Sequence, residues 1–121
     1  MKETIAGQVD DWYRTRADAV FRKSLDRLDG IARRHGADRY TFTIRKMQRR
    51  WASCSAKKRI TLNLFLVQAP VQCIDYVVMY ELCHTIEHNH SQRFYRLLSL
   101  CMNDWKRRKQ ILRGFSVPKD I

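Results

Sequence analysis

Apolar positions recur at steps of three and four along the first part of the chain, residues 4–35. This spacing places them on one face of a helix. The apolar stripe consists of Val9, Trp12, Val20, Phe21, Leu25, Leu28, Ile31 and Ala32. Charged residues such as Arg14, Asp18 and Arg22 fall on the other face, and Gly36 follows the stripe. We therefore predict a long N-terminal helix that stops at Gly36.

A period of two replaces the helical period after residue 38. Two runs alternate apolar with polar side chains, and their apolar positions are Tyr40, Phe42 and Ile44 in the first and Ile60, Leu62 and Leu64 in the second. Alternation of this kind is typical of half-buried strands. A polar stretch at residues 53–58 separates the runs and predicts a turn. The simplest arrangements are a hairpin or two neighbouring strands joined by a loop.

Helical periodicity returns at Pro70, a residue that suits the first turn of a helix. The apolar stripe here is Ile74, Val77, Val78 and Leu82. Residues 89–91 interrupt it, and Ser91 is a candidate N-cap for a further helix that carries Phe94, Tyr95, Leu97, Leu98 and Cys101. A basic stretch at 106–109 and a tail with Pro118 follow. The pattern predicts an α+β fold with a long N-terminal helix, a small sheet and C-terminal helices.

The length of 121 residues is that of one ordinary domain, and 45% hydrophobic residues are enough for a buried core. We divide this single domain, residues 1–121, into the helix of residues 4–35, a motif-bearing core at 38–105 and a basic C-terminal segment at 106–121. No apolar run approaches the roughly 18 residues of a membrane span, and the N-terminus lacks the apolar core of a signal peptide. We therefore expect a cytoplasmic protein without a membrane partner. The 4 cysteines lack C-x-x-C spacing, which favours free, buried thiols.

The residues with the clearest chemistry lie between Tyr80 and His90. On a helix, positions 80 and 84 lie one turn apart on the same face, and Glu81 can reach a water molecule in front of that face. This is the geometry of H-E-x-x-H, in which two histidines bind zinc and the glutamate is a general base. Here Tyr80 stands first, His84 ends the motif, and His90 is a further candidate ligand. The alternative is a metal-free, histidine-rich helix end, where imidazolium suits the helix dipole.

The flanking sequence resembles that of YgjP-like metallopeptidases, which are relatives of the SprT-like zincins. Residues 46–54 read Lys-x-Gln-x-Arg-Trp-Ala-Ser-Cys and are similar to the family signature K-x-Q-x-R-W-G-S-C. Further similar segments, in chain order, are Ile-Thr-Leu-Asn at 60–63, Pro70 with Ile-Asp-Tyr-Val-Val at 74–78, Glu-Leu-Cys-His at 81–84, Asn-His-Ser at 89–91 and the aromatic pair Phe94–Tyr95. Several motifs in the same order make the resemblance specific over about half of the chain.

This resemblance implies a compact zincin-like fold in which a small sheet packs on an active-site helix. It implies that His84 and His90 bind zinc, that Glu81 is the general base, and that position 80 is the first ligand position. In that scheme zinc lowers the pKa of its bound water and polarises the scissile carbonyl of a peptide or protein substrate, while Glu81 accepts the proton of that water.

Two positions depart from the family pattern. Ala52 stands where the signature has glycine, and Tyr80 stands where it has the first histidine. Tyrosine binds metals only as phenolate, and its free pKa is near 10. Two histidines alone hold zinc poorly, because a catalytic site usually has three protein ligands. A Cys83 thiolate could complete the set, although the resemblance places a non-ligand there. We expect a degenerate zinc site with the metal absent or weakly bound.

The net charge of +12 indicates anionic partners. Basic residues form two clusters with interleaved aromatics. The first contains Arg45, Lys46, Arg49, Arg50, Trp51, Lys57, Lys58 and Arg59, and the second contains Lys106, Arg107, Arg108 and Lys109 beside Trp105. Such clusters suit phosphate contact and base stacking, so these are candidate nucleic-acid-binding residues. The alternative is a charged surface that keeps a small protein soluble.

Three functions remain open at this point. The first is a zincin-fold protein with little or no peptidase activity that acts by binding a protein, a peptide or a nucleic acid. The second is an active zinc-dependent peptidase with Glu81 as general base. The third is a basic nucleic-acid-binding module. The sequence pattern indicates no oligomeric state.

Overall fold

The structure, a computed structural model, describes residues 5–117, with side chains from residue 10 onward. Its elements are α1 (Ile5–Arg34), β1 (Thr41–Arg45), β2 (Ala52–Cys54), β3 (Arg59–Asn63), a 3-10 helix (Leu64–Gln68), α2 (Val71–His84), α3 (Gln92–Cys101) and α4 (Trp105–Leu112). The predicted α+β class is confirmed. The predicted helix start at residue 4 and the tail residue Pro118 lie outside the described residues. Between residues 5 and 117, each helix is too short or too polar to cross a bilayer.

The N-terminal helix α1 buries one face against the rest of the chain, as its apolar period predicted. The buried residues of this face include Ala17, Phe21, Leu25, Leu28 and Ala32. Trp12 was predicted to share the stripe, but it is 59% exposed, and its neighbour Tyr13 packs against the core instead. The side chain of Val9 lies outside the described residues. Gly36 adopts a φ of +117°, and Ala37 donates to the carbonyl of Ala32, which ends the helix in the predicted place.

The sheet has three strands in the order β1-β3-β2. β1 pairs with β3 in parallel, so the two predicted strands are neighbours and the hairpin alternative is wrong. The polar stretch that was predicted as a turn begins with the last two residues of β2, which pairs antiparallel with β3. A tight turn at residues 55–58 joins these two strands, and Lys58 takes a positive φ of 62° in it. The sequence missed β2 because its three residues are all half-buried and do not alternate.

Asn63, at the end of β3, is fully buried and hydrogen-bonded on both sides of its carboxamide. Its Nδ2 donates to the carbonyl of Met47 at 3.0 Å and to that of Arg50 at 2.7 Å. Its Oδ1 accepts from the backbone N–H of Phe65 at 3.1 Å and caps the 3-10 helix. The asparagine of the Ile-Thr-Leu-Asn segment therefore fixes the path of the chain between β1 and β2.

Helix α2 lies between α1, the sheet and the C-terminal helices, and most of its residues are buried. Asp75 joins it to α1, accepting from the Ser24 hydroxyl at 2.6 Å and from Arg27 Nη2 at 2.7 Å. Pro70 is the N-cap of α2 and Ser91 is the N-cap of α3, one residue before each helix begins. The basic stretch that followed the last predicted helix lies within α4.

Replacing Asn63 with alanine is expected to lower the free energy of unfolding by about 3 kcal/mol, because buried carbonyl groups lose their donors. Urea denaturation measures this difference. Asn89→Ala serves as the control, since Asn89 is exposed in the turn after α2. Equal stability of the two variants would contradict the structural role given to Asn63.

Candidate functional site

The end of α2 presents the residues that the sequence singled out. Tyr80 and His84 lie one turn apart with ring centroids separated by 5.2 Å, while Glu81 between them is only 5% exposed. This is the placement predicted from helical spacing. The helix stops at His84, and the Thr85 hydroxyl donates to the carbonyl of Leu82 at 2.6 Å in the last turn.

His90 reaches the same place from the turn between α2 and α3. Phe94, fully buried at the start of α3, lies against all three rings. Its ring centroid is 5.0 Å from that of Tyr80, 4.6 Å from that of His84 and 5.2 Å from that of His90. Phe94 therefore forms a shared floor that fixes the positions of the three side chains.

Three polar atoms converge above this floor. The Tyr80 hydroxyl is 2.8 Å from Nε2 of His90, and Nε2 of His84 is 2.6 Å from the same atom. A neutral imidazole has one N–H donor and one acceptor nitrogen, so one of the two facing Nε2 atoms donates to the other. The tyrosine and the two histidines thus form a hydrogen-bonded group.

The donor set of this group is short of the usual zinc ligands. Among the described residues, no three His, Cys, Asp or Glu side chains are grouped to hold a metal ion. Burial, together with the nearby Tyr95, raises the pKa of Tyr80, so its phenolate is disfavoured. These residues do not fit a catalytic zinc site with three protein ligands.

Cys83 does not supply the missing ligand. It is fully buried, and its thiol is hydrogen-bonded with Cys101 of α3. That bond and burial raise the pKa of Cys83, which disfavours the thiolate that a metal requires. The four cysteines are free; Cys73, Cys83 and Cys101 are buried as predicted, whereas Cys54 in β2 is half-buried.

Glu81 lies beside this group with an unpartnered carboxyl oxygen. Its Oε1 is buried and has no hydrogen-bond partner among the described residues. Burial raises the pKa of Glu81 to about 7, while the positive charge of Arg50 opposes the shift. The carboxyl group therefore changes its protonation state near neutral pH, as a general base or a proton donor would.

Glu81 lines a cavity of about 290 Å³ between α2, β2 and the C-terminal helix. Aromatic side chains form most of its wall, namely Trp51, Tyr76, Tyr80 and Phe115, and the cations Lys109 and Arg113 also line it. The sequence left open whether the tail after Gly114 covers the cavity, and Phe115 does line it, whereas Tyr76 was missed as a member of the site. Tyr76 carried a usable signal, because it precedes Tyr80 by one helical turn.

The predicted nucleic-acid-binding residues differ in exposure and in whether a carboxylate pairs with them. In the first cluster, Lys46 pairs with Asp10 at 2.9 Å and Lys58 with Asp38 at 3.8 Å. Trp51 is half-buried in the cavity wall, and the remaining members, Arg45, Arg49, Arg50, Lys57 and Arg59, are exposed. In the second cluster, Arg108 pairs with Asp104 at 2.9 Å, whereas Lys106, Arg107 and Lys109 are exposed.

Comparison with known proteins finds one matching family and two solved structures of similar fold. A family model described as YgjP-like, metallopeptidase domain, matches residues 1–115. The metallopeptidase zymogen abylysin of Pyrococcus abyssi shares the fold, with a TM-score of 0.61 and 22% identity over 81% of this chain and 90% of that one. The metallopeptidase zymogen jannalysin of Methanocaldococcus jannaschii gives 0.60 and 20% over 81% and 94%. Among curated proteins, no sequence matches this chain significantly.

We expect Glu81→Gln to change how stability depends on pH. Because the pKa of Glu81 rises on folding from 4.5 to about 7, the native state favours the neutral acid, and its stability falls as pH rises between these values. The variant lacks this loss. The unfolding free energy of the variant minus that of the parent should therefore be about 3 kcal/mol higher near pH 8 than near pH 4.

Chemical denaturation at the two pH values, with a chelator present, measures this difference of differences. Glu87→Gln is the matched control on the turn after α2, where Glu87 pairs with Arg93 at 3.4 Å and stays in contact with solvent. If the unfolding free energies of Glu81→Gln and the parent differ by the same amount at both pH values, the burial assigned to the Glu81 carboxyl group is contradicted.

Proposed function

The chain belongs to the YgjP-like metallopeptidase family, and from this premise we propose that its zinc site is degenerate and that it acts mainly by binding a protein or peptide. In this proposal the protein retains the zincin fold of its family and the cavity beside α2, but it has lost efficient peptide hydrolysis. The loss comes from Tyr80, which occupies the first ligand position of the family motif.

One observation carries this proposal. The Tyr80 hydroxyl and the two imidazoles are hydrogen-bonded to one another at 2.8 and 2.6 Å, in the position where the family motif requires three metal-binding atoms. A protonated phenol is not a zinc ligand, and the raised pKa of Tyr80 keeps it protonated at neutral pH. We therefore derive no catalytic step that involves a metal.

The cavity supports a binding role without a metal. Its aromatic wall suits an apolar or aromatic side chain, and Glu81 adds a carboxyl group to the same wall. Lys109 and Arg113 suit a carboxylate on the same ligand. A peptide segment that combines these groups is the partner that we assign to the cavity.

The second candidate is an active zinc-dependent peptidase. The observation that favours it is the placement of Glu81, whose carboxyl group shares a cavity wall with Tyr80, the residue whose ring contacts both imidazoles. His84 and His90 would hold the metal in that case, and a third ligand would have to come from Tyr80 as phenolate or from outside the chain.

Metal content separates the two candidates. Protein purified without a chelator or a histidine tag is expected to contain far less than one zinc per chain, whereas Tyr80→His should bind about one, because it restores the third ligand. Elemental mass spectrometry measures the metal. Hydrolysis of a denatured protein substrate should rise in Tyr80→His and disappear again when Glu81→Gln is added.

Tyr80→Phe is the matched control, since it removes the hydroxyl and offers no metal-binding atom. It should bind no zinc and show no hydrolysis. Stoichiometric zinc in the unaltered protein would overturn the proposal in favour of an active peptidase. Zinc in neither the parent nor Tyr80→His would show that His84 and His90 are not ligands.

A further inference from the structure

A broad groove lies between α3 and α4, next to the site but outside the cavity of Glu81. Its volume of about 790 Å³ falls in the range of roughly 300–1,000 Å³ that ligand sites occupy. We call it the α3–α4 groove, and its principal lining residues are Tyr95, Arg96, Ser99, Trp105, Lys106 and Lys109.

A fixed pair of aromatic rings forms part of this groove. Tyr95 and Trp105 are stacked with centroids 5.7 Å apart and planes inclined by 28°. Trp105 is buried, and its indole N–H donates to the Ser99 hydroxyl at 2.9 Å, which fixes the ring. Tyr95 is 37% exposed, so a rigidly supported ring is available to solvent in the groove.

The charges around these rings have one sign. The ammonium groups of Lys106 and Lys109 lie 5.7 and 5.9 Å from the ring centroid of Trp105, and Arg96 lines the same groove. No carboxylate is among the described residues that line it, and the three cations form no ion pair with a described residue. Cations held close together repel one another, so an anion in the groove would be stabilised.

We propose that the α3–α4 groove binds single-stranded nucleic acid, with its cations contacting phosphates and a base stacking on Tyr95. Such an arrangement of a basic groove with an exposed aromatic ring is how proteins bind single strands without reading sequence. This inference goes beyond the proposed function, because it concerns a nucleic acid rather than a peptide and a groove that includes only His90 of the metal-site residues.

Two features favour this ligand over others. An acidic peptide would use the cations but would leave the exposed ring of Tyr95 without a flat partner. A duplex keeps its bases stacked on one another, so they cannot lie on a protein ring, whereas an unpaired base can.

Of the second basic cluster, the structure places Lys106 and Lys109 in the groove, whereas Arg108 is held by Asp104 and by the carbonyl of Gln72.

Fluorescence anisotropy with a short labelled oligothymidine tests the proposal on the full chain. The association constant falls as the salt concentration rises, and each lysine that neutralises a phosphate of a single strand contributes about 0.7 to the steepness of the log–log plot. The double variant Lys106→Ala/Lys109→Ala should therefore make this plot less steep by about 1.4. Tyr95→Ala should weaken binding about tenfold through the loss of stacking, whereas Tyr95→Phe, which keeps the ring, should bind like the parent.

The matched control is Lys23→Ala/Arg34→Ala, which removes the same charge from exposed positions on α1. An equal loss of affinity in this control would overturn the proposal, because net charge alone would then explain binding. Competition by polyglutamate as strong as that by unlabelled oligothymidine would overturn it in favour of an acidic peptide. Unchanged affinity in Tyr95→Ala would contradict the proposal that a base stacks on Tyr95. Circular dichroism verifies that every variant is folded.

Discussion

The buried carboxamide of Asn63 fixes the chain segment that forms one wall of the Glu81 cavity. It donates to the carbonyls of Met47 and Arg50 and accepts from the N–H of Phe65, so the connection after β1 returns to the end of β3. That path places Trp51 against the core and lets β2 pair with β3. The Glu81 cavity has Trp51 and Ala52 in its wall, so the environment of the glutamate depends on an amide in another part of the fold.

In the proposed function, the side chain at position 80 determines whether the end of α2 binds zinc. The ring of Tyr80 packs edge-on against Phe94, and histidine is also a flat ring, so we expect the exchange at position 80 to leave the packing of the helix intact. The chemistry changes nevertheless, because the imidazole nitrogen offers a lone pair at neutral pH and the half-buried phenol, with its raised pKa, keeps its proton. The proposed loss of zinc therefore needs no change of fold, which agrees with the family match over residues 1–115.

Periodicity and local signals predicted the elements that rest on neighbours in sequence: α1 with its end at Gly36, the two alternating strands, α2 and the N-cap Ser91 of α3. The placement of Tyr80 and His84 on one face followed from the same spacing. The direction of β1 relative to β3 did not follow, since alternation is the same in parallel and antiparallel strands. The bond between Ser24 and Asp75 joins residues 51 positions apart, and Phe115 reaches the cavity from the C-terminal segment. No local pattern encodes such contacts, because they arise only when distant elements pack.

Lys109 lines both the cavity beside Glu81 and the α3–α4 groove. The two recesses therefore share one positive charge, and a ligand that engages it from one side changes the electrostatic potential on the other. Thermodynamic linkage makes this effect reciprocal, so each ligand alters the affinity of the other by the same factor. Two anionic ligands would oppose each other's binding through this lysine, and the affinity of either recess is defined only when the occupancy of the other is stated.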